Sequence, residues 1–192
     1  MQTYDPNSTK QHWQVKDIIF LALLAAFFGL IYQGASYLYY ALAATFLKPY
    51  ANDLMLGIWL MAGPLAAILL KRRGAAFLGE FLAAAAEMLL FSSWGAANLI
   101  TGALQGAASE LGFLTYGYKN FGKKALTLSV IFSAIVTFTW DYFQSGYQAY
   151  PLSMLLTLFG IRLLSLAFFD GVLIYQIAQL VSKARVRVWW SN

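Results

Sequence analysis

Apolar stretches of about 20 residues, separated by short polar segments and by glycine and proline, follow one another along most of the chain. A helix needs about 20 apolar residues to cross roughly 30 Å of hydrocarbon. The polar breaks predict an all-α integral membrane protein, residues 1–192, folded as a single transmembrane domain. The six predicted membrane-spanning helices cover residues 17–36, 53–70, 74–92, 97–117, 121–145 and 151–182.

The positive charges sort onto one side of this predicted bundle. Lys48 lies on the opposite side, and Arg162 lies within the sixth span. Since cytoplasmic loops of membrane proteins carry an excess of Lys and Arg, both termini are predicted to be cytoplasmic, with residues 1–16 as a polar tail. The predicted location is the bacterial cytoplasmic membrane. The charges on the cytoplasmic side are Lys10, Lys16, Lys71, Arg72, Arg73, Lys119, Lys123, Lys124, Lys183, Arg185 and Arg187.

Composition agrees with a membrane protein and excludes several kinds of chemistry. The chain is 60% hydrophobic and 11% charged, whereas soluble domains carry about a quarter charged residues. It has no cysteine, and its one histidine, His12, lies in the polar tail. Thiol nucleophiles, thiolate metal sites and intramembrane zinc sites therefore lack their ligands. We predict no enzyme, no metal, no cofactor and no nucleic-acid partner, because orientation in the lipid bilayer explains the net charge of +5.

A tyrosine-rich segment, "YQGASYLYYALAATFLKPYAND", follows the first predicted span. The apolar run from Asp17 to Leu47 is too long for one span and short for two. We predict that about residues 36–52 form an outer segment at the mouth of the bundle. The segment is either a functional lid or an interfacial aromatic belt, and the sequence favours neither.

Two glutamates, Glu80 and Glu87, interrupt the third predicted span. They are seven residues apart and share a helix face, which Trp94 continues if the helix persists. The alanines between them permit close helix contact, so this face is predicted to point into the bundle. A carboxylate in hydrocarbon costs several kcal/mol unless it is paired. The two side chains therefore need partners on other helices.

The later spans also carry polar side chains on one face, and depth divides these residues into two groups. The inner acids are Glu80, Glu110 and Asp170. Glu80 lies close to the basic loop 71–73 and Glu110 close to Lys119, so structural ion pairing is the favoured explanation of this group. Protonation of the buried carboxyl groups is the alternative. The outer group suits a flat cationic ligand, although interfacial anchoring would equally explain either tryptophan alone. Arg162 is the only intramembrane cation available to pair with Glu87. The outer group comprises Glu87, Trp94, Asn98, Trp140 and Asp141, with Thr101, Gln105 and Ser109 continuing the face of Asn98.

The run "KRRGAAFLGEFLAAAAEMLLFSSWGAANLITGALQGAASE" resembles the YkoE-type substrate-binding (S) components of energy-coupling-factor (ECF) ABC transporters. That family shows a basic turn followed by GAA, two glutamates seven apart, a WG pair and then GxxQGxxxE. Where relatives often have proline after the basic pair, this chain has Arg73. The matching residues are Gly74, Ala75, Ala76, Glu80, Glu87, Trp94, Gly95, Gly102, Gln105, Gly106 and Glu110.

The resemblance implies uptake of thiamine, or of its hydroxymethylpyrimidine precursor, with the help of a transmembrane coupling (T) subunit and ABC ATPases. The seven residues predicted to bind this substrate include Glu80 as a group below the pocket, and the other six are Glu87, Trp94, Asn98, Gln105, Trp140 and Asp141. The resemblance also implies that small residues on the first helix contact the coupling subunit. The candidates for that contact are Ala22 with Ala26 and Ala25 with Gly29.

A different function is open to the same residues. A proton-coupled secondary carrier for a cationic nitrogen-containing solute would use Glu80, Glu87 and Glu110 as proton relays. The chain is short for such a carrier and shows no convincing inverted repeat. An aspartate-based intramembrane enzyme would need Asp141 and Asp170 to meet, and their predicted depths place them in opposite halves of the bundle.

Overall fold

The computed structural model describes residues 13–90 and 92–188, with side chains described as far as residue 183. Within these ranges all regular secondary structure is helical. Most of the predicted polar tail, including Lys10 and His12, lies outside the described residues. The helices are α1 Val15–Ala43, α2 Ala51–Met55, α3 Ala62–Leu70, α4 Ala75–Leu89, α5 Ala97–Leu114, α6 Lys123–Gln144, α7 Leu152–Leu166 and α8 Ile174–Val188.

Short irregular pieces join several of these helices into longer ones. Two 3₁₀ turns, Lys48–Tyr50 and Ile58–Leu60, flank α2 and lead into α3, while a π-helical segment, Ala167–Leu173, joins α7 to α8. Four stretches in the described part of the chain are long and apolar enough to cross a membrane. These are Val15–Ala43, Lys48–Leu70, Lys123–Gln144 and Leu152–Lys183.

The first helix is longer than the sequence predicted. It ends at Ala43 and not near residue 36, so the proposed outer segment does not begin at Ser36. The segment from Ser36 to Ala43 contains neither glycine nor proline, and the first proline after it is Pro49. Since a helix continues until such a breaker or a cap ends it, the connection on this side shortens to the residues after Ala43. Whether the tyrosines here act as a lid stays a prediction.

Helix α4 lies between α1 and α5 because glycines let the three backbones approach closely. A Cβ added at Gly29 of α1 would lie 2.6 Å from the Cβ of Ala86, and one at Gly106 of α5 would lie 2.8 Å from the carbonyl oxygen of Phe77. Such contacts are typical of small residues at membrane helix interfaces. This packing places Glu80 and Glu87 inside the bundle, where they are 0% and 4% exposed.

The two pairs of small residues on α1 lie on different faces. Ala25 and Gly29 are buried, and Gly29 packs against α4. Ala22 and Ala26 are exposed. Of the two pairs predicted to contact a coupling subunit, Ala25 with Gly29 packs inside the bundle. The pair Ala22 and Ala26 remains accessible.

Glu110 caps the start of α4 from the neighbouring helix α5. Its carboxylate accepts hydrogen bonds from the backbone N–H groups of Gly74 (2.7 Å), Ala76 (2.9 Å) and Phe77 (3.0 Å). The first N–H groups of a helix have no partner within the helix, and a negative charge there is favoured by the helix dipole. The expected partner, Lys119, is thus replaced by backbone donors.

Candidate substrate site

A cavity of about 460 Å³ lies among the helices of the bundle. Helices α1, α4, α5 and α6 contribute to its wall, together with the segment before α3 and the connection between α6 and α7. Six of the seven residues predicted to bind substrate line this cavity, and the seventh, Glu80, does not. The six are Glu87, Trp94, Asn98, Gln105, Trp140 and Asp141.

Uncharged side chains hold Glu87 in place at the cavity wall. Ser36 Oγ donates to one carboxylate oxygen (2.7 Å) and Asn98 Nδ2 donates to the other (3.0 Å). Asn98 Nδ2 also donates to Ser92 Oγ (3.1 Å), which fixes the amide. None of these partners is a cation, and Arg162, the one intramembrane cation available in the sequence, pairs with other acids. The carboxyl group of Glu87 lines the cavity without a positive neighbour among these contacts.

An aromatic cluster lies beside Glu87. The ring of Trp94 stacks on Tyr40 (centroids 5.8 Å apart, 17° between planes) and contacts Tyr39 (5.4 Å), which in turn contacts Trp59 (5.7 Å). Trp94 Nε1 donates to Ser36 Oγ (3.3 Å), the same hydroxyl that donates to Glu87. Ring faces beside a carboxylate form a surface that suits a flat cation. Tyr39, Trp59 and Trp94 line the cavity.

Arg162 pairs with two aspartates on the far side of the cavity. Its Nε lies 2.6 Å from Asp53 Oδ1, and its Nη2 lies 2.5 Å from Asp141 Oδ2. The ring of Phe138 lies 5.1 Å from the guanidinium carbon. Charge-assisted hydrogen bonds of this kind are the stronger class. Asp141 reaches the cavity, while Arg162 and Asp53 are completely buried behind it.

Glu80 lies beneath the cavity and touches it only through Tyr32. The Tyr32 hydroxyl donates to both carboxylate oxygens of Glu80 (2.9 and 3.1 Å), and the backbone N–H of Gly63 donates to one of them (2.9 Å). Tyr32 itself lines the cavity. The hydrogen bonds of Glu80 thus come from Tyr32 and Gly63 and not from the basic loop that was expected to pair with it. Arg72 of that loop pairs with Asp17 instead (3.0 Å).

Two of the predicted polar residues, Ser109 and Asp170, do not line the cavity. Ser109 continues the face of Asn98 but bonds to Ser129 of α6 through their hydroxyls (2.9 Å), so it joins helices and does not face the cavity. Asp170 is 1% exposed in the π-helical segment, and neither carboxylate oxygen has a hydrogen-bond partner in the described part of the chain.

Sequence reasoning missed several residues of the cavity and its support. Asp53 lies at the start of the predicted second span, where an acid in an apolar chain could have been noticed as a partner for Arg162. The aromatic residues were not separable from an interfacial belt, because burial in a wall depends on the neighbouring helices. The residues missed are Tyr32, Tyr39, Asn52, Asp53, Trp59 and Tyr147.

The donor set of this site favours an organic ligand. Among residues 13–90 and 92–183, no group of three or more His, Cys, Asp and Glu side chains could hold a metal ion. The wall instead combines two carboxylates, indole and phenol rings, and the amides of Asn52, Asn98 and Gln105. Such a wall can balance a positive charge, stack on a ring and exchange hydrogen bonds with ring nitrogens.

Comparison with known proteins gives three matches. Residues 16–136 match the model of a family described as the permease component of an ABC-type cobalt transport system. The chain is 33% identical over 161 residues to a Bacillus subtilis (strain 168) protein provisionally named HMP/thiamine permease protein YkoE, covering 84% of this chain and 80% of that protein. It also resembles a crystal structure of an S-component of ECF transporter, with a TM-score of 0.86, 31% identity, and coverage of 91% of this chain and 88% of the other.

Proposed function

The chain belongs to the YkoE-type S components of ECF transporters, and from this premise we propose that it captures thiamine, or the hydroxymethylpyrimidine precursor, in the cavity beside Glu87. It is a membrane transport component and not an enzyme. The single observation that carries the proposal is the convergence of Glu87, Asp141, Trp94 and Trp140 on one cavity of about 460 Å³.

The chemistry of thiamine fits this wall. Thiamine has a permanently cationic thiazolium ring and an aminopyrimidine ring that can donate and accept hydrogen bonds. Glu87 would hydrogen-bond the aminopyrimidine or balance the thiazolium charge, and Trp94 and Trp140 would stack on the rings. Asn98 and Gln105 would fix the orientation of the ligand. Glu80 would act below the pocket, through Tyr32.

Energy for transport would come from other subunits. We propose that a transmembrane coupling subunit contacts α1 at Ala22 and Ala26, and that ABC ATPases drive transport through that subunit. The support is geometric, since both alanines are exposed on α1 and their small side chains would let another helix approach closely.

The proposed topology has six spans and cytoplasmic termini in the bacterial cytoplasmic membrane, with the whole chain as one transmembrane domain. The asymmetry of Lys and Arg between the two sides supports this orientation. Helices α4 and α5 have 15 and 18 residues, and they would complete six spans by packing inside the longer helices. Tyr39 and Tyr40, at the outer end of α1, would gate the cavity.

The test of this function is a titration of the detergent-purified protein with thiamine, followed by Trp fluorescence. Trp59, Trp94 and Trp140 line the cavity, so saturable quenching is expected. Unlabelled hydroxymethylpyrimidine added as competitor shows which ring carries recognition. No response to either ligand, from protein shown to be folded, would overturn the proposal.

A further inference from the structure

The guanidinium of Arg162 is enclosed by two carboxylates of unequal exposure. Arg162 and Asp53 have fully buried side chains, while the side chain of Asp141 is 15% exposed and reaches the cavity. The third nitrogen, Nη1, donates to Thr137 Oγ1 (3.2 Å). The arginine therefore lies behind the cavity wall, which Asp141 and Thr137 form on this side.

Asp53 is held firmly on the side away from the cavity. One oxygen accepts from Arg162 Nε (2.6 Å), and the other accepts from the Tyr147 hydroxyl (2.7 Å). Burial and the neighbouring Asp53 raise the pKa of Tyr147 well above its usual range, so this hydroxyl stays protonated as a donor. Both carboxylate oxygens of Asp53 are thus engaged within the protein.

Asp141 is held on the cavity side by a separate set of donors. Asn52 Nδ2 donates to its Oδ2 (2.9 Å), and Ser145 Oγ donates to its Oδ1 (3.1 Å). Asn52 Nδ2 also lies within hydrogen-bonding distance of the Tyr147 hydroxyl (3.3 Å). The group links α2, α6, α7 and the connection between α6 and α7 into one charged unit behind the cavity wall.

The charges of this unit do not cancel. One arginine and two aspartates sum to one negative charge, whereas Arg162 and Asp141 alone would form a neutral pair. Within an apolar bundle the effective dielectric constant is low, so one uncompensated charge acts strongly on a nearby ion. Lys48, at another part of the cavity wall, opposes this negative charge.

We propose that Asp53, which does not touch the ligand, sets the charge of the Asp141 end of the cavity and so makes the site selective for a cationic ligand over a neutral one. The inference rests on the proposed function and names a positioning and specificity role within it. By neutralising Arg162, Asp53 leaves the charge of Asp141 available to a ligand cation. Glu87 supplies the second negative charge on the α4 side of the same cavity.

The first test compares two ligands on the Asp53→Asn protein. Asparagine keeps the shape of the side chain and can still accept hydrogen bonds, but it removes the charge. With thiamine as the cation and hydroxymethylpyrimidine as the ligand without a permanent charge, at pH 8, thiamine affinity should fall about tenfold. The affinity for hydroxymethylpyrimidine should stay unchanged. Equal losses for both ligands would mean that Asp53 has only a structural role and would overturn the inference.

The double variant Asp53→Asn/Arg162→Gln makes the test sharper. It removes one charge of each sign and restores the single negative charge of Asp141, so thiamine affinity should recover toward the wild-type value. A structural role predicts the opposite, because the second substitution removes further hydrogen bonds. Ser165→Ala is the matched control, because it removes the hydrogen bonds from α7 to Leu54 and Gly57 without changing charge, and Ser165 does not line the cavity. It should leave the preference between the ligands unchanged.

Two outcomes separate this inference from the proposed function. Wild-type protein that binds neither ligand would remove the proposed function, whereas wild-type binding with unselective loss in Asp53→Asn would remove only the role of Asp53. If the Asp53→Asn protein does not fold, the double variant Asp53→Asn/Arg162→Gln carries the test, because it removes both members of the buried ion pair together. A retained preference for thiamine would support the charge argument, and loss of that preference would overturn it.

Discussion

At the scale of single residues, the acids of the bundle differ in the partners that hold them. Glu87 is held by Ser36 and Asn98, Glu110 by backbone N–H groups, and Asp53 by Arg162. Neutral hydrogen-bond donors do not compensate the negative charge of a carboxylate, so a cationic ligand can pair with it. An arginine or lysine of the protein already compensates that charge. A buried acid whose hydrogen bonds come from neutral donors at a cavity is therefore the stronger candidate for binding a cation.

The role of Glu87 can be tested by Glu87→Gln. Glutamine keeps the contacts with Ser36 and Asn98 as far as its one oxygen allows but removes the charge. Thiamine affinity should fall by about tenfold or more, because a hydrogen bond to a charged group contributes about 1.5–3 kcal/mol. Fluorescence titration measures this change. Unchanged thiamine affinity in folded Glu87→Gln protein would contradict the proposal that the charge of Glu87 contributes to binding.

Glu110 gives a contrasting expectation. Glu110→Ala would leave the N–H groups of Gly74, Ala76 and Phe77 without their acceptor, and should lower the free energy of unfolding by about 1–3 kcal/mol. Because Glu110 does not line the cavity, thiamine affinity should be unchanged. Thermal unfolding in detergent, with and without thiamine, measures both. A selective loss of affinity at normal stability would contradict the capping role.

At the scale of elements, α1 uses two faces for two purposes. The buried face carries Ala25, Gly29, Tyr32 and Ser36 toward α4 and the cavity. The opposite face carries exposed Leu23 and Phe27 beside Ala22 and Ala26. A helix of this length can thus hold the substrate site on one side and present a surface to lipid or to a partner helix on the other.

A pair of matched substitutions separates these faces. Ala26→Leu should leave the thiamine affinity unchanged and weaken co-purification with the coupling subunit, because the larger side chain stops close approach of a second helix. Gly29→Leu should instead lower the free energy of unfolding by about 1–3 kcal/mol, since its side chain would collide with Ala86. Pull-down and thermal unfolding distinguish the two. Normal complex formation by Ala26→Leu would argue against contact at this face.

At the scale of the whole molecule, the topology can be tested with introduced thiols. The chain has no cysteine, so each single-cysteine variant reports one position. Ala44→Cys should react with a membrane-impermeant maleimide added to intact cells, and Lys119→Cys should react only after the membrane is opened. Equal labelling of both positions in intact cells would contradict six spans with cytoplasmic termini.

The all-helical membrane class and the residues of the polar cavity wall were predictable from the sequence, because helix length and polar spacing are local properties. The end of α1 was misplaced because tyrosines and alanines fit either a helix or an interfacial segment. The partner of Arg162 could not be predicted, because Asp53 lies 109 positions away in the sequence. The residues around Asp53 and Glu87 do not show which of the two acids meets Arg162.

The sequence by itself determined the membrane class, the family and the residues that could form a polar interior. These follow from hydrophobic periodicity, charge asymmetry and a spaced motif, which are all properties of the order of residues along the chain. The tertiary structure decided which partners hold each acid, which small residues are buried and which aromatic rings meet. Those outcomes depend on which helix faces pack together, because contacts between residues that are distant in the sequence form only when all the helices have packed.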